Sequence, residues 1–163
     1  MVEIRPAEQR DCEALTVLME DLDRCYGAAD TEPPGQRVRR IAENFVENLA
    51  AAYVLLAWEN EKPVGMAAYS FLWPAQSVTR SLYLKELYVT EEFRCKGIGA
   101  LLMQRLCQVA VEHECGRVEW TADQGNPLAE AFYRRLSVPK NREKIFYRLD
   151  GAGLQRMSTP HQL

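Results

Sequence analysis

Along the chain, apolar positions change period several times, and each change predicts an element. Val2 to Arg5 alternates as a short strand, which Pro6 ends by removing a backbone donor. Leu15, Leu18, Leu22 and Tyr26 then recur at helical spacing behind Asp11, a suitable N-cap, and Gly27 supplies the stop. Thr31, Pro33, Pro34 and Gly35 read as a loop. A second helix is expected from Gln36 to Leu49, on Val38, Ile41, Ala42, Phe45 and Leu49. Tyr53 to Trp58 and Val64 to Tyr69 are two strand-like runs joined by Glu59-Asn60-Glu61-Lys62-Pro63, which predicts an antiparallel hairpin. After a loop from Phe71 to Arg80, Leu84, Glu86 and Tyr88 alternate with Lys85, Leu87 and Val89 in a strand from Leu82 to Val89.

The next segment changes register abruptly. Arg94-Cys95-Lys96-Gly97-Ile98-Gly99-Ala100 leads into a long helix on Ile98, Leu102, Leu106, Val109 and Ala110, which ends near Cys115. Arg117 to Ala122 reads as a strand. Asn126 and Pro127 open a helix through Leu128, Ala131, Phe132 and Leu136, with asparagine suited to the N-cap and proline to the first helical position. Lys144 to Leu149 is expected to be a last strand, and the tail from Gly151 to be poorly ordered. The alternation predicts a mixed α/β sheet with helices on both faces, in one domain over residues 1–150 followed by a tail, 151–163.

A formal net charge of −3 gives no support to nucleic-acid binding, which would show as a basic patch. The longest apolar run, Ala50 to Trp58, is well short of the roughly 20 residues of a membrane helix. The N-terminus has no basic cap followed by an apolar run, so a cytoplasmic location is expected. The five cysteines have no paired spacing and predict neither a disulfide framework nor a metal site. Only Cys95 falls within the glycine turn. Arg94 and Lys96 flank it, but no histidine is near in sequence to serve as its base. Between Glu20 and Glu32 the chain carries Glu20, Asp21, Asp23, Asp30 and Glu32 against Arg24 alone; this reads either as solvated surface or as attraction for a cationic substrate.

The glycine turn carries the chemistry. The first-turn N–H groups of a helix have no intrahelical acceptor, and glycine lets a ligand approach the backbone, so an anion such as a pyrophosphate fits there. A Walker loop would need Gly-Lys followed by Ser or Thr, but Ala100 and Leu101 follow Gly99. A dinucleotide fingerprint would need Gly or Ala where Leu102 stands.

What remains, Arg94-x-x-Gly97-x-Gly99-Ala100 after an apolar strand, closely resembles the GNAT superfamily of acetyl-CoA-dependent N-acetyltransferases. The resemblance extends from Glu119-Trp120 through Asn126-Pro127 to Phe132-Tyr133-Arg134-Arg135 and covers residues 53–149 well and the N-terminal helices loosely. Tyr83 to Val89 resembles the spermidine/spermine (diamine) N-acetyltransferase branch, with two departures: Lys85 replaces a carboxylate just before Glu86, and Ser137 replaces the usual glycine after the Phe-Tyr helix. The resemblance implies a mostly antiparallel sheet of six to seven strands and acetyl-CoA as co-substrate, with no metal. It implies that the N–H groups from Arg94 through Cys95, Lys96, Gly97, Ile98 and Gly99 to Ala100 cradle the pyrophosphate. The main chain of Leu87, Tyr88 and Val89 would pair with the pantetheine arm, and Asn126 would contact CoA or only cap its helix. Glu86 is expected to take a proton from the acceptor amine or to bind its cation, and Tyr133 to protonate the departing thiolate or to pack in the core. The implied activity is direct acetyl transfer to a small-molecule primary amine by a homodimer. A protein or peptide N-acetyltransferase and a non-catalytic acyl-CoA-binding module are the alternatives.

Overall fold

The computed structural model describes residues 1–27, 34–45, 52–75, 78–141 and 144–159, which divide into two compact units, Met1–Gln124 and Gly125–Leu163. In the first unit, β1 (Val2–Pro6), β2 (Tyr53–Glu59), β3 (Lys62–Leu72), β4 (Arg80–Val89) and β5 (Cys115–Trp120) form one sheet in the order β1-β2-β3-β4-β5. Pairing is antiparallel from β1 to β4 and parallel between β4 and β5. The parallel pair needs a crossover, supplied by α3 (Ile98–Glu112). Pro6 is included in β1, where it pairs with Leu55 on an edge strand that tolerates a missing donor. Asn60 and Glu61 turn the β2–β3 hairpin with φ of 47° and 65°, the left-handed geometry that two-residue hairpins favour.

Two helices precede the hairpin: α1 (Cys12–Cys25) and α2 (Pro34–Phe45). The latter starts with proline at its first turn, two residues before the expected start; residues 46–50, including Leu49, lie outside the described residues, as do Asp30 and Glu32. Leu15, Leu18 and Leu22 of α1 pack with Val54, Leu56, Met66 and Tyr88, and Ile41 of α2 lies against that cluster. Next to Met66 in sequence, Gly65 faces the opposite side, where an added Cβ would lie 3.4 Å from Leu102 of α3. Helices therefore cover both faces, α1 over one and α3 over the other. Truncating Leu18 or Leu106, both fully buried, to alanine would cost about 2–5 kcal/mol.

In the second unit, α4 (Pro127–Arg135) is capped by the Asn126 side chain, which accepts from Ala129 N at 3.1 Å. Its far end closes through Ser137 N to Arg134 O and Val138 N to Tyr133 O, with Ser137 left-handed at φ 57°. That geometry accounts for glycine being usual there. The strand expected at Lys144 to Leu149 does not form, and the described residues hold five strands rather than six to seven. The β-rich pattern of that segment reports how well side chains fit a half-buried sheet face, yet Ile145 and Tyr147 are 77% and 84% exposed. The tail expected to be poorly ordered instead forms α5 (Gly151–Ser158). Among the described residues no helix is long and apolar enough to cross a membrane.

Candidate active site at the end of strand four

The site is built around an irregularity in β4. Against β3, Tyr69 pairs with Leu84 and the next residue, Ala68, pairs with Glu86, so Lys85 is an extra residue, a β-bulge. The bulge reverses which face each later side chain takes. Leu82 and Leu84 share the α3 side with Leu87 and Val89, whereas Glu86 and Tyr88 pair with Ala68 and Met66 on the α1 side. The expected set of Leu84, Glu86 and Tyr88 on one face is corrected accordingly.

The parallel pairing of β4 with β5 ends at Leu84 opposite Trp120, one residue before the bulge. From Lys85 to Val89 no described strand lies in register on that side. Thr90 N donates to Val64 O of β3 at 3.0 Å, so the peptide's other end, Val89 O, points away from β3, where Arg94 Nε donates to it at 3.1 Å. By strand alternation the N–H groups of Leu87 and Val89 share that open side, while those of Tyr88 face β3. An extended chain with amides, such as pantetheine, has donors and acceptors to pair there.

The glycine turn follows directly. Gly97 is the N-cap of α3 with φ 85°, and Leu101 N donates to Gly97 O as the first helical bond. The N–H groups of Ile98, Gly99 and Ala100 precede that bond and are left for an anion. An added Cβ at Gly97 would meet nothing within 4 Å, so backbone conformation, not packing, requires glycine there. Cys95 is also left-handed, at φ 61°, and its thiol is exposed. Lys96 Nζ lies 4.4 Å from the centre of the Phe93 ring. Arg94 turns back across the strand: its guanidinium donates to Cys25 Sγ at 3.5 Å and lies 5.9 Å from the Tyr88 ring centre. Burial, followed by the hydrogen bond with Cys25 Sγ at 3.9 Å, pushes the Tyr88 phenol up to about 12, so it stays neutral at physiological pH.

Glu86 is partly covered, with 28% of its side chain exposed, and its Oε1 lies 3.3 Å from Lys85 Nζ. Tyr26, at the end of α1, stands close enough to feel both. Although the residue is 64% exposed, its phenol is raised first by partial burial and then by the charges of Glu86 and Asp123, with Lys85 opposing them. The sequence pattern had placed Tyr26 on the core face of α1; its position beyond the last buried leucine, Leu22, next to Gly27, was the available signal. The acidic stretch is largely compensated where it is described: Asp21 pairs with Arg24, and Asp23 pairs with Arg37 at 2.7 Å.

The first unit thus brings together Glu86, Leu87, Tyr88 and Val89 with the turn from Arg94 to Ala100. Asn126 and Tyr133 belong to the second unit. There Asn126 is engaged as a helix cap, and the Tyr133 ring lies 5.0 Å from that of Phe132, edge to face.

Residues 15–137 match the Acetyltransferase (GNAT) family. The chain is 33% identical over 139 residues to the spermidine/spermine N(1)-acetyltransferase-like protein 1 of Homo sapiens, covering 80% of this chain but only 19% of that protein. It is 25% identical over 150 residues to a D-amino-acid N-acetyltransferase of Saccharomyces cerevisiae, covering 91% of this chain and 90% of that one. Among solved structures, an integron cassette protein from the mobile metagenome of V. cholerae superposes with a TM-score of 0.90 at 31% identity over 98% of both chains. With a strand that opens after a bulge, an uncapped helix start behind it and a family match over most of its length, the chain belongs to the GNAT family of acetyltransferases.

Proposed function

We propose that this chain transfers acetyl from acetyl-CoA to the primary amine of a small molecule, a diamine, polyamine or amino-acid-like compound, within a ternary complex. The observation that carries the reading is the continuity of two backbone surfaces: the open side of β4 at Leu87 and Val89, followed at once by the uncapped N-terminus of α3. The first suits the amides of a pantetheine arm, and the second suits a pyrophosphate. Relatives named as spermidine/spermine-like and D-amino-acid N-acetyltransferases support an amine acceptor.

Acetyl-CoA, when bound, supplies an acetyl thioester: the new bond joins the amine nitrogen to the acetyl carbon, and the carbon–sulfur bond breaks. The protein's own groups handle charge and protons. An alkylamine with a pKa of about 10.4 is almost wholly protonated at neutral pH, so a base is needed before attack. Glu86, partly covered and on the open strand, is proposed as that base, directly or through water. The N–H of Leu87 or Val89 is proposed to hold the thioester oxygen as negative charge develops on it. Tyr133 is proposed to give the leaving sulfur its proton. Tyr88, Arg94, Cys95, Lys96, Gly97, Ile98, Gly99, Ala100 and Asn126 complete the proposed CoA contacts. A cytoplasmic homodimer belongs to the same proposal, and light scattering in solution checks the dimer. The decisive experiment follows thiol release from acetyl-CoA against a panel of diamines, polyamines, amino acids and peptides. Amine-dependent release is expected with small amines, and no release above hydrolysis with any amine would overturn the reading.

A further inference from the structure

The mouth of the open strand carries both signs of charge, and the bulge is the reason. In a regular strand, successive side chains point to opposite faces, which keeps neighbours apart. At the bulge two residues of β4, Lys85 and Glu86, are set against the single residue Ala68, and the Lys85 ammonium comes to 3.3 Å from the Glu86 carboxylate. Both side chains are within electrostatic reach of the Tyr26 phenol, as is Asp123. Lys85 is 67% exposed and has no other ionic partner among the described residues, whereas Glu86 is more covered. The ammonium is thus the outer member of the pair, free to swing without disturbing the sheet.

Such a pair discriminates between acceptors by charge. A diamine brings only positive charge: to reach Glu86 it must displace Lys85, and the displaced ammonium then faces a like charge and loses its one ionic partner among the described residues. A zwitterion brings one charge of each sign, so the Lys85–Glu86 pair can be exchanged one for one, ammonium to Glu86 and carboxylate to Lys85. We infer that Lys85 and Glu86 form a two-sided subsite selecting amino acids over diamines and polyamines, with Lys85 binding the acceptor's carboxylate. This rests on the acetyltransferase reading above and narrows its acceptor class. Lys85 is a specificity residue here, and the chemistry stays with the groups around the amine.

Lysine and cadaverine test this cleanly, because both carry two primary amines on a five-carbon chain and lysine adds only a carboxylate. In the wild-type protein kcat/KM should favour lysine over cadaverine by about tenfold or more, the scale of one charge-assisted contact. K85M should lower lysine turnover by about tenfold and raise that of cadaverine, which then has no ammonium to displace from Glu86. K85E should invert the preference, and circular dichroism should show both variants folded, as expected for an exposed side chain. A wild-type preference for cadaverine, or a lysine-to-cadaverine ratio unchanged in K85E, would overturn the inference while leaving acetyl transfer intact. Should the wild type acetylate no amine, the acetyltransferase reading fails on its own. Calorimetric titration with lysine and cadaverine then still decides the subsite: lysine binding weakened by K85E supports it, and unchanged binding overturns it.

Discussion

Gly97 offers a direct test of whether the turn's shape binds the co-substrate, because conformation and packing separate there. An alanine at Gly97 would hold φ at 85°, in the left-handed region, at a cost of about 1–2 kcal/mol. Its Cβ would touch nothing within 4 Å, so no steric term is added. Restriction of the unfolded chain returns about 0.4–1 kcal/mol, leaving a net loss of roughly 0–1.6 kcal/mol. For a chain of this length that is a fall of up to about 6 °C in Tm. If the turn relaxes to escape the strain, the N–H groups of Ile98, Gly99 and Ala100 lose their common aim. An anion at a helix N-terminus is worth about 0.3–2 kcal/mol, so CoA affinity should fall by about 2- to 30-fold. Thermal unfolding and calorimetric titration with CoA measure both effects. Gly35→Ala is the control: Gly35 lies inside α2 with an ordinary φ and open space at its Cβ, and alanine there should stabilise the helix by up to about 1 kcal/mol. A Gly97→Ala variant that matched wild type in both Tm and CoA affinity would refute the assignment of the turn.

Other expectations bear on the chemistry and on the frame that carries it. Glu86→Gln should reduce turnover by about 10² or more, with partial recovery as pH rises and the amine loses its proton unaided; a defect of equal size at every pH would assign Glu86 to substrate binding instead. Tyr133→Phe should lower turnover at least tenfold, by about 1.4 kcal/mol or more in barrier, while CoA still binds; near-normal turnover would remove the acid role. Asp11, buried beneath Arg5 with contacts of 2.6 and 2.8 Å, has its carboxyl held below the usual range, first by the Arg5 hydrogen bonds and then by the Glu8 N–H, against the opposing effect of burial. A lowered folded pKa contributes stability that is present above the unfolded value of about 3.9 and is lost as pH falls through the folded one. Asp11→Asn should therefore be less stable at pH 7, by about 2–3 kcal/mol, and the gap should close below about pH 4 in denaturant titrations. Ser137→Gly should raise stability by up to about 1 kcal/mol in the same assay, by relieving the left-handed strain at the end of α4.

Much of the frame was legible because its signals are local. Glycine behind a charged turn, Asn126 before Pro127, and leucines spaced as a helix face each report on a few neighbouring residues, and the observed caps follow them. The segment Lys144 to Leu149 shows the limit. Its residues have strand-forming side chains, but a strand also needs a neighbour to take its backbone bonds, and that neighbour is not written in the segment itself. Ser137 is a similar case: serine hides a left-handed position that glycine would have announced.

The bulge at Lys85 lies between these cases, because its trace was present in the pattern of apolar residues. The side chains facing α3 are Leu82, Leu84, Leu87 and Val89, spaced by two, three and two. A strict period of two fits Leu84, Glu86 and Tyr88 equally well as a set, and that choice puts a carboxylate and a leucine on one face. The spacing of three marks the residue at which the period breaks. Where a strand changes face in mid-course, one added residue has re-aimed everything after it. Here the added residue carries a charge, and the pairing with β5 ends just before it, at Leu84. A bulge in a fully paired strand would only kink the sheet; this one stands where β4 loses its neighbour, so the side chains it re-aims belong to the open site. The acceptor preference of this acetyltransferase is therefore tied to the residue that breaks the strand's period, and Lys85 is the position at which changing one side chain should change the substrate without changing the fold.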